Sequence, residues 1–206
     1  NCFARISGNV CRKCGHVNVR TRMEYDALPV GTVIGGRYII GRLMGRGGFG
    51  MIYLAYDEQS EKPVAVKEFF PDGTAARSQD NICVEPMTAL QEESYSAGLE
   101  RFFNEAEIIS GFRECSEVIG IYDVFRENGT AYYAMEFVHG SSLKNFAETN
   151  RAISPGQAVY IAKRLLPSLN ILHQRGVIHR DVSPDNIMLC ADGSVKLIDF
   201  GSARYI

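Results

Sequence analysis

The side chains best placed for chemistry lie in two short strings: His179-Arg180-Asp181-Val182-Ser183-Pro184-Asp185-Asn186 and, thirteen residues on, Asp199-Phe200-Gly201. The first puts an acid, Asp181, and an amide, Asn186, five residues apart on one loop. The second adds another acid followed by a glycine. A carboxylate that accepts a hydroxyl proton, with oxygen ligands that hold Mg²⁺ against phosphates, is what phosphoryl transfer from ATP requires. Asp181 is therefore the candidate catalytic base, and Asn186 and Asp199 are the candidate metal ligands. Any one of the three could equally be a turn or cap residue; their order and company make the case.

That company lies upstream. Gly45-Arg46-Gly47-Gly48-Phe49-Gly50, followed by Ile52, is a turn whose backbone can approach phosphates and donate N–H groups to them. A dinucleotide-binding turn would need a helix directly after the glycines. Met51–Tyr56 instead alternates and is rich in aromatic and β-branched residues, so a strand is expected. Lys67 closes the apolar run Val64-Ala65-Val66. Such a lysine is ordinarily a solvated edge charge, but with a carboxylate partner it can hold the α- and β-phosphates. Glu105 is the candidate partner. Phe102, Ala106 and Ile109 form a stripe beside it, whereas Glu107, two positions on, faces away.

These residues need a scaffold, and the sequence describes one. Strands are expected at Tyr38–Ile40, Met51–Tyr56 and Pro63–Lys67, and at Ile119–Arg126 and Ala131–Val138 around the hairpin signal Asn128-Gly129. A helix is expected between the third and fourth strands, near Leu99–Gly111. The polar stretch from Glu68 to Ala97 reads as an inserted loop with a small hairpin near Ile82-Cys83-Val84. After Gly140 the texture is helical. Ser141 or Ser142 can cap a helix to Thr149, and Ser154-Pro155 opens a second, with Ala158, Ile161, Ala162, Leu165, Leu169 and Leu172 at helical spacing. Pro167 should kink it. Asp192-Gly193 marks a hairpin between Ile187–Cys190 and Val195–Ile198.

The chain has 206 residues, 46% of them hydrophobic, and a formal charge of −2. That suits one good-sized domain with an appendage, and gives no reason to expect nucleic acid or an anionic membrane as a partner. No apolar run reaches the length of a membrane span. Three of the six cysteines cluster at Cys2, Cys11 and Cys14 and three are scattered, which suggests a reducing, cytoplasmic compartment rather than a disulfide framework. Cys11-Arg12-Lys13-Cys14-Gly15 has the form of a zinc-knuckle turn. With Cys2 it suggests a structural Zn²⁺ site whose fourth ligand would precede the chain, or be His16. Reduced cysteines in a tail are the alternative. The expected division is a zinc-ribbon-like unit at 1–20, a linker at 21–35 and a main domain at 36–206.

From about Leu28 to Ile206 the chain resembles a eukaryotic-type protein kinase, and most closely the bacterial serine/threonine kinases. Gly47-Gly48-Phe49-Gly50, Val66-Lys67-Glu68-Phe69-Phe70-Pro71 and Asp181-Val182-Ser183-Pro184-Asp185-Asn186-Ile187 carry the similarity. The resemblance implies an α+β, protein-kinase-like fold: a five-stranded antiparallel sheet with one helix in the N-terminal lobe, then the start of a helical C-terminal lobe. It implies ATP and Mg²⁺ as cofactors and a protein hydroxyl as acceptor. It casts Met135 as gatekeeper, Glu136 and Val138 as hinge residues bonding adenine through their backbones, and Ile52, Ala65 and Met188 as walls around the ring. His179 would be a packing residue, and Arg180 would await a phosphate or acid. Ser183 departs from the family, which carries a lysine there to reach the transferring phosphate; a hydroxyl cannot replace that charge. A nucleotide-binding pseudokinase or scaffold is therefore the alternative. The chain ends five residues past Gly201, so the resemblance implies that the activation segment and substrate-binding helices are missing. These residues alone are then expected not to phosphorylate a protein, and to expose an apolar face prone to self-association.

Overall fold

The computed structural model describes residues 26–48 and 50–206. The cysteines at 2, 11 and 14 that suggested zinc, and Phe49 of the glycine-rich turn, lie outside the described residues. The chain divides into two compact units, one running to Phe103 with Asp123–Phe137, the other comprising Asn104–Tyr122 and Val138–Ile206.

The first unit is built on strands β1 (Val33–Ile34), β2 (Tyr38–Gly47), β3 (Gly50–Asp57) and β4 (Lys62–Phe69). A small hairpin follows, β5 (Ala75–Arg77) with β6 (Val84–Pro86), then helix α1 (Glu92–Ser110), which belongs to this unit as far as Phe103, and strands β7 (Ile121–Glu127), which belongs to it from Asp123, and β8 (Thr130–Glu136). The main sheet has six strands in the order β1-β2-β3-β4-β8-β7. Five were expected; the sixth, β1, falls in the stretch read as a linker, where two residues are too few to leave a periodic signal. Asn128 and Gly129 both take positive φ in the turn between β7 and β8, as that dipeptide predicts. Helix α1 begins at Glu92, seven residues before Leu99; in its first two turns Tyr95 alone is buried, a single inward residue among polar and small ones. The inserted segment is correspondingly shorter than the sequence suggests, since Glu68 still belongs to β4.

Register sorts the side chains of this sheet onto two faces. Ile52, Lys67 and Tyr133 form one cross-strand row, and Leu54, Ala65 and Met135 the next, on the same face. Met51, Glu68 and Tyr132 form a row on the other face, with Tyr53, Val66 and Ala134 beside it. On the Lys67 face, Phe102 of α1 packs 5.0 Å from the Tyr133 ring and 5.6 Å from that of Phe69, with Tyr95 on the far side of Phe69 at 5.4 Å. Each such aromatic pair adds about 0.5–1.5 kcal/mol beyond area burial.

In the second unit come β9 (Gly140–Ser142), α2 (Leu143–Asn150), α3 (Pro155–Gln174), β10 (Val177–Ile178), β11 (Ile187–Cys190), β12 (Val195–Leu197) and β13 (Arg204–Tyr205). Strands pair as β12-β11-β9 and as β10-β13. Ser142 caps α2 by accepting from Asn145 N–H, and Ser154 forms a full capping box with Gln157 at the start of α3. Helix α3 runs on through Pro167. Its buried stripe is Ile161, Leu165, Ser168 and Leu172, whereas Ala158 and Ala162, which fit the same period, are exposed. Ser168 is inward because its hydroxyl donates to Glu117, which also pairs with Arg164 at 3.0 Å.

Candidate active site

Helix α2 and strands β9 and β12 frame the loop that carries Asp181 and Asn186. Ser142 of β9 pairs with Met188 of β11, and Lys144 N–H donates to Pro184 O, which anchors the loop to the start of α2. Asn186 N–H donates to Ser183 O, closing the turn at the residue that departs from the family pattern. The Asn186 amide is buried, and its Nδ2 donates to Asp181 Oδ2 at 2.8 Å and to Asp181 O at 3.1 Å. Both partners are acceptors, so the network fixes the amide orientation and leaves Oδ1 as the free acceptor. The acid and amide five residues apart are thus one hydrogen-bonded pair.

Asp199 is tied to the same frame through the backbone, since Ile198 N–H donates to Asn186 O at 2.8 Å. Asp199 takes φ +57 and Arg180 takes φ +68, left-handed conformations that cost a non-glycine residue roughly 1 kcal/mol or more. Two such residues on adjoining segments mark backbone held for side-chain placement. Phe200 anchors the turn from below. It is fully buried, and the His179 ring meets it edge-on at 4.4 Å. His179 accepts from Asp181 N–H at Nδ1, which makes Nε2 the protonated nitrogen facing Ile198 O at 3.3 Å. Burial holds its proton affinity below the ordinary histidine value, although Ile198 O, Asp181 and Asp199 pull the other way. His179 is thus a neutral strut between the two strings.

Glu105 belongs to this group as well. A Cβ built on Gly201 would lie 3.4 Å from Asp199 Oδ1 and 3.6 Å from Glu105 Oε2, so the Glu105 carboxylate sits beside the Asp199-Phe200-Gly201 turn. Glu105 is half-buried and Glu107 exposed. Among the expected site residues, the second unit brings together Asp181, Asn186, Asp199 and Glu105. Met188 and Val138 are both half-buried in the same unit.

The first unit carries the others. Lys67 Nζ lies 5.6 Å from the Tyr133 ring centroid and 6.0 Å from that of Phe102, so an apolar, aromatic wall flanks the ammonium. On the same face Ala65 stands across from Met135, and Ile52 across from Lys67; Ile52, Met135 and Glu136 are half-buried. The glycines of the turn separate into two kinds. At Gly50 a Cβ would sit 2.2 Å from Glu68 O, so the pairing of β3 with β4 itself demands glycine there. At Gly45, Gly47 and Gly48 a Cβ would meet nothing within 4 Å and φ is not positive, so neither packing nor strain within the chain requires glycine. Three glycines unneeded by the fold, on a turn with open space above it, suit a ligand that approaches the backbone closely.

Sequence reasoning missed the polar network behind this face. Glu68 is fully buried and meets Arg77 of β5 through Oε1 at 2.7 Å and Oε2 at 2.5 Å, while Tyr53 and Tyr132 donate to the same carboxylate. Arg77 also reaches Asp26 O and Ile82 O. Burial and the neighbouring carboxylate push both tyrosine hydroxyls far above their usual range. Strand alternation does place Glu68 opposite to Lys67, but nothing local identifies Arg77 as its partner.

Comparison with known proteins identifies the family. The protein kinase domain model matches residues 38–206. A probable serine/threonine-protein kinase PknB of Bifidobacterium longum is 34% identical over 179 residues, 82% of this chain and 23% of that protein. Serine/threonine-protein kinase PrkC of Bacillus subtilis is 31% identical over 174 residues, 84% of this chain and 24% of the relative. A solved structure described as PpkA-294 apo form superposes with a TM-score of 0.80 at 32% identity, covering 86% of this chain and 62% of that one. The chain spans about a quarter of the length of these curated relatives. No helix among the described residues is long and apolar enough to cross a membrane.

Proposed function

The chain belongs to the protein kinase family, and from that premise we propose that it serves an ATP- and Mg²⁺-dependent serine/threonine kinase, moving the γ-phosphate of ATP to a protein hydroxyl. The observation that carries the proposal is the Asn186–Asp181 hydrogen bond at 2.8 Å. It occupies Asp181 Oδ2 and leaves Oδ1 to accept the proton of an attacking hydroxyl. It also commits Asn186 Nδ2 to Asp181, so that Asn186 Oδ1 and the Asp199 carboxylate would offer the oxygen-only donor set that suits a hard cation. Bound ATP and Mg²⁺ would supply the transferable group and neutralise its oxygens. Lys67 and the backbone of Gly45, Gly47, Gly48, Phe49 and Gly50 are assigned to the phosphates, with Glu105 as the carboxylate that orients the lysine. Ile52, Ala65 and Met188 are assigned to the adenine faces, Glu136 and Val138 to its edge, and Met135 to the gatekeeper position.

Transfer of labelled phosphate from ATP by the full-length protein tests this, beside an Asp199→Asn control. Transfer by the parent that falls at least about a hundredfold in the control is expected. Equal signal from both overturns the kinase proposal. Thermal stabilisation by ATP without any transfer would instead favour the nucleotide-binding alternative that Ser183 raises. Structural zinc on Cys2, Cys11 and Cys14, a cytoplasmic location and self-association complete the proposal. Metal analysis of the purified protein finding no zinc removes the first of these.

A further inference from the structure

Arg46 lies inside the glycine-rich turn, between Gly45 and Gly47, and its guanidinium is held from two sides. Nη1 meets Asp26 Oδ2 at 2.8 Å and Nη2 meets Asp72 Oδ1 at 2.9 Å, while the group lies 5.6 Å from the centroid of the Phe70 ring. Asp72 makes a second contact with the turn, since its N–H donates to Gly48 O at 3.1 Å. Asp26 is itself fixed: its carbonyl accepts from Arg77 Nε at 2.7 Å, and Arg77 is locked onto buried Glu68. A continuous polar chain therefore runs from Glu68, next to Lys67, through Arg77, Asp26 and Arg46 to Asp72 and the carbonyl of Gly48. A glycine-rich turn without such ties would sample many conformations and lose them on binding phosphate.

We infer that Asp26 and Asp72 are positioning residues: acting through Arg46, they hold the glycine-rich turn in the conformation that receives the phosphates of ATP. Asp72 lies just beyond Pro71 at the entry to the inserted hairpin, which gives that segment a role beyond covering the sheet. The inference rests on the proposal that this turn binds ATP. Arg46 is 31% exposed, Asp26 45% and Asp72 68%, so each pair is partly screened and is expected to be worth about a two- to five-fold change in affinity.

The test is the dissociation constant of ATP and of adenosine, measured with the full-length protein and its Asp72→Ala, Asp26→Ala, Asp72→Glu and Glu100→Ala variants. Glu100→Ala removes an exposed ion pair with Arg126 at 2.7 Å that does not touch the turn. Asp72→Ala and Asp26→Ala are expected to weaken ATP about two- to five-fold each and to leave adenosine unchanged, because adenosine has no phosphate for the turn to meet. Asp72→Glu should restore most of the loss, and Glu100→Ala should change neither ligand. Unchanged ATP affinity in both alanine variants overturns the inference, as does equal weakening of ATP and adenosine, which would indicate general loosening of the unit. A parent protein with no measurable ATP affinity overturns the nucleotide-binding proposal itself, and this inference with it.

Discussion

Removing Arg77 should unfold the first unit more readily than any other surface-to-core change in the inserted hairpin. Arg77 is 3% exposed and Glu68 0%, and the two are joined by paired hydrogen bonds. Taking both charges out of water is costly, and only the fork geometry plus the hydroxyls of Tyr53 and Tyr132 offsets that cost. Arg77→Ala strands the Glu68 carboxylate in a site that water cannot reach, with a penalty of about 3–5 kcal/mol. For a chain of this size that is a fall of roughly 6–20 °C in Tm. The hairpin should also become an early site of proteolysis, because its ties to Asp26 O and Ile82 O go with the guanidinium. The reasoning makes a second, less intuitive demand. Replacing Glu68 and Arg77 together by Leu and Met, with Tyr53 and Tyr132 changed to Phe, removes both charges and both hydroxyls, although Leu28 N–H, Asp26 O and Ile82 O lose their partners. Part of the lost stability should return. Thermal and urea melts followed by circular dichroism measure both. A single variant within about 1 kcal/mol of the parent, or an apolar quadruple variant as unstable as Arg77→Ala, would refute the account.

Gly50→Ala should destabilise the chain by about 2 kcal/mol or more in urea melts, because the new methyl would meet the Glu68 carbonyl. Gly48→Ala should leave stability within about 0.5 kcal/mol and act on ATP affinity instead. Stability should also fall as pH drops below about 6.5, the value at which the unfolded chain protonates histidine. His179 resists that proton in the folded state, so its contribution is complete above this pH and is lost on descending toward its depressed folded value. His179→Leu should be less stable throughout but should show a shallower slope between pH 7.5 and 5.5; an unchanged slope would assign the dependence to other groups.

Much of the architecture was legible because it rests on short-range signals. Asn128 and Gly129 take positive φ in one hairpin turn and Gly193 in the other, and Ser154-Pro155 marks the start of α3. Other features were not legible. Strand β1 is two residues long and owes its existence to β2. The first turns of α1 bury Tyr95 alone. Ala158 and Ala162 fit the helical period of α3 yet face water, while Ser168 is drawn inward by Glu117.

The sequence by itself pointed to the protein kinase family. The residue types and order of Gly45–Gly50, Lys67, Glu105, Asp181, Asn186 and Asp199 carried that resemblance, and the family model matches residues 38–206. The tertiary structure decided what holds those groups in place. Only the folded chain shows that Asn186 donates to Asp181 and so presents its carbonyl oxygen, and that Gly50 is glycine for the sheet's sake while Gly47 and Gly48 are not. Only it shows that Glu68, Arg77, Asp26, Arg46 and Asp72 form one chain that reaches the glycine-rich turn. Glu68 and Arg77 are paired by burial, which excludes water and so makes each buried charge find another, whereas Arg46 meets Asp26 and Asp72 in partly exposed contacts that folding alone brings within reach.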